Sequence, residues 1–147
     1  MRTRILRRSK KGPDARALRG AAAVILESLE LGNTELSVLV TGDKEMWGLN
    51  LRYRGKDKPT DVLSFSQTEG EFGDIEPGVL GDVVISVDTA QRQADEKGHS
   101  LQREMDILLI HGILHLAGYD HEKGRSEAAK MKAKEKQLLA ALEKKAV

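Results

Sequence analysis

Apolar positions along the chain recur at two periods, and the switches between them divide it into elements. Residues 2–8 set Ile5 and Leu6 among arginines, which suits a short edge strand whose charges discourage pairing with another sheet. From Ala15 to Leu31, Leu18, Ala22, Ile25 and Leu29 form a helical stripe; Pro13 suits the first turn and Gly32-Asn33 the stop. Glu35 to Thr41 alternates instead, with Leu36, Val38 and Val40 on one face of a half-buried strand. Gly42-Asp43 then turns the chain, and Asp43 is placed to cap a helix through Met46, Leu49 and Asn50 to about Tyr53.

A polar, basic loop from Arg52 to Asp61 leads to a short strand, Val62 to Ser66, with Leu63 and Phe65 on one side. Gln67 to Gly78 is acidic, contains glycine and has no period, so it is expected to be an exposed, mobile loop. Leu80 to Val87 reads as a strand with Val83, Ile85 and Val87 inward, and Thr89 to Lys97 as a helix broken by Gly98. Ser100 caps a further helix, with Glu104 near its positive end. Ser126 to about Glu143 is a charged amphipathic helix anchored by Met131, Leu138, Leu139 and Leu142. No repeat and no linker interrupts these elements, so residues 1–147 read as one α+β domain.

The helix begun at Ser100 is the chain's most apolar stretch, and it ends in chemistry. Met105 to Ile110 is apolar except for Asp106, and His111 and His115 close it. Four residues apart, they share one helical face. Gly118 supplies a stop, since glycine accepts the left-handed conformation at helix ends, and the turn can bring His121 back to the same point. Three of the chain's 4 histidines thus lie within eleven residues. A lone histidine on an apolar helix is most often a core residue bonded to a carbonyl. Two at this spacing would each need a separate buried partner, and a third past the glycine makes a zinc site with an open fourth position the better reading. The chain has 0 cysteines, so any metal must be held by nitrogen and oxygen.

The spacing H-x-x-x-H-x-x-G-x-x-H is also that of metzincin proteases, which carry a glutamate base directly after the first histidine. Here that position is Gly112, which neither takes nor gives a proton. The cradle is kept and the peptidase's base is absent, which points to hydrolysis of another bond.

With 147 residues, 39% hydrophobic and 32% charged, the composition is that of an ordinary soluble protein. No apolar run approaches 18 residues and no signal peptide is evident, so a cytoplasmic protein that avoids membranes is expected. The net charge of +1 conceals segregation: residues 1–19 hold eight Arg or Lys against one acid, Asp14, whereas residues 61–90 hold seven acids and no Arg or Lys. A basic pole on a near-neutral protein can meet a polyanion, although solvated faces often look the same.

Three blocks carry a resemblance to a known family. They are Leu49-Asn50-Leu51-Arg52-Tyr53-Arg54-Gly55-Lys56-Asp57-Lys58-Pro59-Thr60-Asp61-Val62-Leu63-Ser64-Phe65, Leu80 to Ser86, and His111 to His121 with its Gly-Tyr-Asp-His ending. On them the chain resembles the YbeY family of bacterial endoribonucleases and rRNA maturation factors over roughly residues 35–125. One departure is Ser66, where that family often has proline. The resemblance implies a mixed four-stranded sheet packed with about five helices, the central one carrying the first ligands of a zincin-like site. It implies one Zn²⁺ per chain on His111, His115 and His121, and a role for Arg54. The implied task is single-strand-specific RNA cleavage in 16S rRNA 3′-end maturation and ribosome quality control, with the small subunit and assembly factors as partners and no nucleotide cofactor.

The residues themselves suit that chemistry. Phosphodiester hydrolysis needs activated water and a cation for the charge that builds on phosphoryl oxygens; zinc on three neutral imidazoles brings the pKa of its water to about 7, and Arg54 offers a planar fork for phosphate. Lys56 and Lys58 are candidates for flanking phosphates, or plain solvated loop charges. Asp120 is a candidate to orient a ligand imidazole or assist the water, or a turn residue. Tyr119 is better read as core than as a base-stacking ring, and His99 is expected to lie outside the site. Two rivals remain: an assembly factor with a structural metal whose fourth ligand is an acid such as Asp120, and a divergent metallopeptidase, which Gly112 disfavours.

Overall fold

A computed structural model describes residues 2–66 and 78–145, and the side chains of Arg2 and His121 are not part of that description. The acidic segment expected to be a mobile loop therefore lies, but for Gly78, outside the described residues. Among these residues four strands, β1 (Arg2–Arg7), β2 (Glu35–Thr41), β3 (Val62–Ser66) and β4 (Val79–Ser86), form one sheet in the order β1-β2-β4-β3. β1, β2 and β4 run parallel, and β3 pairs antiparallel with β4 at the far edge. Among the described residues five helices surround it: α1 (Ala15–Ser28), α2 (Asp43–Arg54), α3 (Val87–Lys97), α4 (Leu101–Leu116) and α5 (Arg125–Lys145). The expected α+β class, mixed sheet and helix number are all present. No helix among the described residues is long and apolar enough to cross a membrane.

Strand alternation sorts the two faces. Leu36, Val38, Val40, Val83 and Ile85 point into the main core with residues of α1, α3, α4 and α5. Leu39, Leu63, Val84 and Phe65 point to the other face, where Met46 and Leu49 of α2 cover them. Helix α4 is buried along most of its length, with Met105, Leu109, Ile110, Ile113 and Leu114 almost fully enclosed. It is the central helix, and its last two turns carry the histidine pair.

Several boundaries differ from those read from the pattern, each for a local reason. Pro13 lies outside α1, whose cap is Asp14, accepting from Ala17 N at 2.8 Å. That helix ends at Ser28 rather than Leu31, because the chain turns at Glu30 (φ 60°) and Leu31 N closes back on Leu26 O. Val87 is not the end of β4 but the first residue of α3, capped by the Ser86 hydroxyl; it is buried all the same.

Asp43 does not cap α2, since Gly42 holds that position. Its carboxylate instead accepts from Ser86 Oγ (2.7 Å), Thr89 Oγ1 (2.6 Å) and Arg92 (2.8 Å), tying the starts of α2 and α3 together. Burial works to raise its pKa, but the hydrogen bonds from Thr89, Ser86 and Arg92, with the charge of Arg92, prevail and hold it below the usual 3.8.

Candidate metal and RNA site

Helix α4 presents His111 and His115 at the edge of the sheet, one turn apart on one face. Their Nε2 atoms are 3.1 Å apart, and the rings meet edge to face with centroids at 4.6 Å. Two nitrogens bonded to one tetrahedral zinc at about 2.05 Å stand about 3.3 Å apart, so the pair has the separation a shared metal requires. The same distance closes an N–H···N hydrogen bond when one ring carries the proton between them. His111 Nδ1 lies 3.7 Å from Glu135 Oε1 of α5, on the side of the ring away from His115. At that distance the carboxylate is beyond hydrogen-bond reach and acts on the ring through its charge, favouring the tautomer with the proton on Nδ1.

After α4 the chain turns at Gly118 (φ 100°), and Tyr119 packs against the main core, as expected for that ring. Asp120 then caps a single 3-10 turn, His121–Lys123, accepting from Glu122 N at 2.8 Å. His121 thus opens a 3-10 turn five residues beyond the end of α4, while its side chain lies outside the description. Asp120 is seen here as a turn residue that places His121.

From the opposite side comes Arg54, the last residue of α2. Its guanidinium donates to Ser64 O at 2.8 Å and to Tyr53 O at 3.2 Å, and its Cζ sits over the Phe65 ring, 4.9 Å from the centroid. The helix ends here because Gly55 adopts the left-handed conformation (φ 70°). Arg54, His111, His115, Val62, Leu63, Ser64, Ser66 and Leu116 line a cleft of about 340 Å³. Residues 57 positions apart in sequence thus share one concave surface. Ser66, in place of the proline common in the similar family, closes β3 opposite Gly81.

Lys56 and Lys58 are exposed on the loop beyond Arg54, outside the lining of the cleft. That loop is anchored by buried Asn50, whose side-chain amide donates to Lys58 O at 2.8 Å. His99 lies apart from the cleft, as expected, with Nε2 2.6 Å from the buried Glu104 carboxylate, which Lys97 also contacts.

Two contributors went unread in the sequence. Ser64 supplies its carbonyl to Arg54 and donates its hydroxyl to Gly112 O at 2.9 Å, so it links the two halves of the cleft. Glu135 continues the inward stripe of Met131, Leu138 and Leu142 along α5, and an acid on that stripe was the available signal. Gly112 also gains a second meaning. A Cβ there would stand 2.7 Å from Val83 Cγ1 and 3.2 Å from Ser64 Oγ, so glycine is what lets α4 lie against the sheet.

Comparison with known proteins adds relatives to this geometry. A family described as "Endoribonuclease YbeY" matches residues 8–143. An endoribonuclease YbeY from Geobacter sulfurreducens is 48% identical over 145 residues, 97% of each chain. One from Aquifex aeolicus is 55% identical over 123 residues, 84% of this chain and 80% of its own. The solution structure of a Thermotoga maritima protein, 30% identical, matches the fold with a TM-score of 0.67 over 95% of this chain and 88% of that one.

Proposed function

The chain belongs to the YbeY family of endoribonucleases, and from that premise we propose that its cleft cuts single-stranded RNA with the help of a metal ion. One observation supports this above the others: Arg54 and the His111–His115 pair, remote in sequence, line the same cleft. A positive fork facing a pair of metal-competent imidazoles matches the charge that develops on a phosphodiester during hydrolysis.

We assign the metal to His111, His115 and His121, one Zn²⁺ per chain, with Glu135 orienting His111 and Asp120 setting the turn before His121. When bound, zinc supplies a Lewis acid that makes water nucleophilic near neutral pH. Arg54 does the rest of the electrostatic work attributed to protein side chains. Two bonds to carbonyls and the Phe65 ring hold its guanidinium plane, so little reorganisation is needed as charge builds on the phosphoryl oxygens. Lys56 and Lys58 extend the basic surface along the strand's path. The biological substrate in this reading is rRNA, processed in a cytoplasmic ribosome-maturation step alongside the small subunit and its assembly factors, by residues 1–147 acting as one domain.

A peptidase would add its substrate to the edge strand beside the metal. Here that edge is engaged from within: Asp61 Oδ1 accepts from Val62 N at 2.7 Å, and Arg54 takes Ser64 O. The edge therefore offers a phosphate-binding guanidinium where a peptide would need a carbonyl. The deciding experiment incubates zinc-loaded protein with defined single-stranded RNA and with unstructured peptides, each with and without chelator. Chelator-sensitive RNA cleavage is expected; cleavage of peptides alone would overturn the reading.

A further inference from the structure

Next to the cleft, aromatic rings and guanidinium groups alternate across one surface. Tyr53 is 47% exposed, a large area for a tyrosine beside a folded site. Its ring meets Phe65 edge-on, with centroids 5.2 Å apart and planes at 68°. The Arg52 guanidinium carbon lies 5.2 Å from the Tyr53 centroid, and that of Arg54 lies 4.9 Å from the Phe65 centroid. Phe65 is backed by Met46, Leu63 and Val84, so the platform behind Tyr53 is firm. Arg54 at its far end lines the cleft itself.

Resting on the ribonuclease reading above, we propose that Tyr53 is a nucleobase-stacking subsite, holding the base of a nucleotide that flanks the scissile phosphate of single-stranded RNA. The chemistry of the neighbourhood fits this occupant. Residues 52–58 carry Arg52, Arg54, Lys56 and Lys58 against one acid, Asp57, and that acid accepts from Trp47 Nε1 at 2.6 Å. A ring among cations attracts a base with its phosphates, and aromatic stacking with backbone charge pairing is how proteins hold unpaired strands. Trp47 is exposed as well, but with a carboxylate on its indole N–H it is poorly suited to a phosphate chain.

The contact between Arg52 and Tyr53 does not block the site. An exposed cation–π contact is worth less than a stacked base, so Arg52 gives up the ring and turns to an adjoining phosphate. The subsite also supplies a selectivity that the cleft lacks. Arg54 and the metal ligands address the phosphate, which single and double strands share. A base lying on Tyr53 must be unstacked from its neighbours, so a duplex cannot present it.

The test measures single-turnover cleavage as a function of enzyme concentration, using the zinc-loaded full chain and a single-stranded RNA cut at one position. Tyr53→Leu should raise the half-saturating concentration about 5- to 150-fold, the range for losing one stacked base. The maximal rate should change by less than about 3-fold, and Tyr53→Phe should behave as the unaltered protein. Removing single bases from the RNA should identify one flanking position whose loss costs the unaltered protein the same factor. Tyr53→Leu should lose nothing further there. Equal half-saturation for Tyr53→Leu and the unaltered protein, or full additivity with base removal at every position, would overturn the subsite while leaving the ribonuclease reading intact. Failure of the unaltered, zinc-loaded protein to cut any single-stranded RNA would overturn that reading and the subsite with it.

Discussion

Ser64 holds Arg54 through its carbonyl at 2.8 Å and holds helix α4 through its hydroxyl, which donates to Gly112 O at 2.9 Å. The cation and the histidine pair are thereby referenced to the same residue of the edge strand. Ser64→Ala keeps the carbonyl and removes the hydroxyl. The expected loss is about 1 kcal/mol, typical for one neutral hydrogen bond. Thermal melting should show a shift of a few degrees with zinc content unchanged, and cleavage should fall because Arg54 and α4 are no longer held in a fixed relation. Unchanged cleavage would show that the hydroxyl contact does not align the site.

Gly112 gives a prediction of opposite sign to helix propensity. Alanine within a helix is favoured over glycine by about 1 kcal/mol. Here its Cβ would press on Val83 at 2.7 and 3.1 Å, and overpacking of this kind costs about 1–3 kcal/mol. Gly112→Ala should therefore lower the melting temperature, and adding Val83→Ala should recover part of the loss. Gly112→Glu should unfold the protein or displace α4 and should yield no peptidase, because the position faces the sheet rather than the cleft.

Metal content tests the histidine assignment directly. His111→Ala and His115→Ala should each lose the roughly one zinc ion per chain expected of the unaltered protein, by elemental analysis. Glu135→Gln should retain the fold and weaken zinc affinity by up to about 10-fold, the low end of the scale for an outer carboxylate partner, because the contact is 3.7 Å long. Unchanged metal in both histidine variants would remove the site from α4.

Much of this was legible in local pattern. β2 and β3 occupy the residues their alternation marks, Glu35–Thr41 and Val62–Ser66, and α4 runs from its Ser100 cap to the histidine pair. These depend on contacts a few residues apart. What the pattern could not show depends on which faces meet. Asp43 looks like a cap until Ser86 and Thr89, more than 40 residues on, take its carboxylate. Gly112 reads as an absent base, yet its packing against Val83 needs the sheet in place. Arg54 stands out only through family resemblance and its phosphate-suited fork, since nothing between residues 54 and 111 encodes their meeting locally.

Two half-buried carboxylates should move stability with pH in opposite senses. The folded-state pKa of Asp43 is lowered below 3.8, so its contribution is present above that pH and is lost as pH falls through the folded value. Asp106 is raised above 3.8, chiefly by burial, with the nearby charge of Glu143 adding and the Gln102 hydrogen bond opposing. Its ionisation therefore costs the folded state, and that cost sets in as pH rises above 3.8. Asp43→Asn should lower the melting temperature at pH 7 and Asp106→Asn should raise it. Both differences should shrink as melts are taken down toward pH 3. A pH-independent difference would assign either effect to packing instead of charge.

Arg54 carries the sharpest test of whether the basic loop belongs to the chemistry. Its guanidinium is fixed by Ser64 O, Tyr53 O and the Phe65 ring at the mouth of a cleft that also holds His111 and His115. Arg54→Ala should keep zinc and lower the maximal single-turnover rate by about 10²-fold or more, the scale for one positioned transition-state donor. Because Arg54 also braces the edge strand, a small drop in melting temperature is expected and must be measured alongside. Arg54→Lys restores a charge without the planar fork, so it should recover only part of the rate. Lys56→Ala should act differently, raising the half-saturating concentration and reducing its dependence on salt by about one phosphate's worth, with little change in maximal rate. Normal cleavage by a folded, zinc-loaded Arg54→Ala protein would take Arg54 out of the mechanism and leave the electrostatic work to the metal alone.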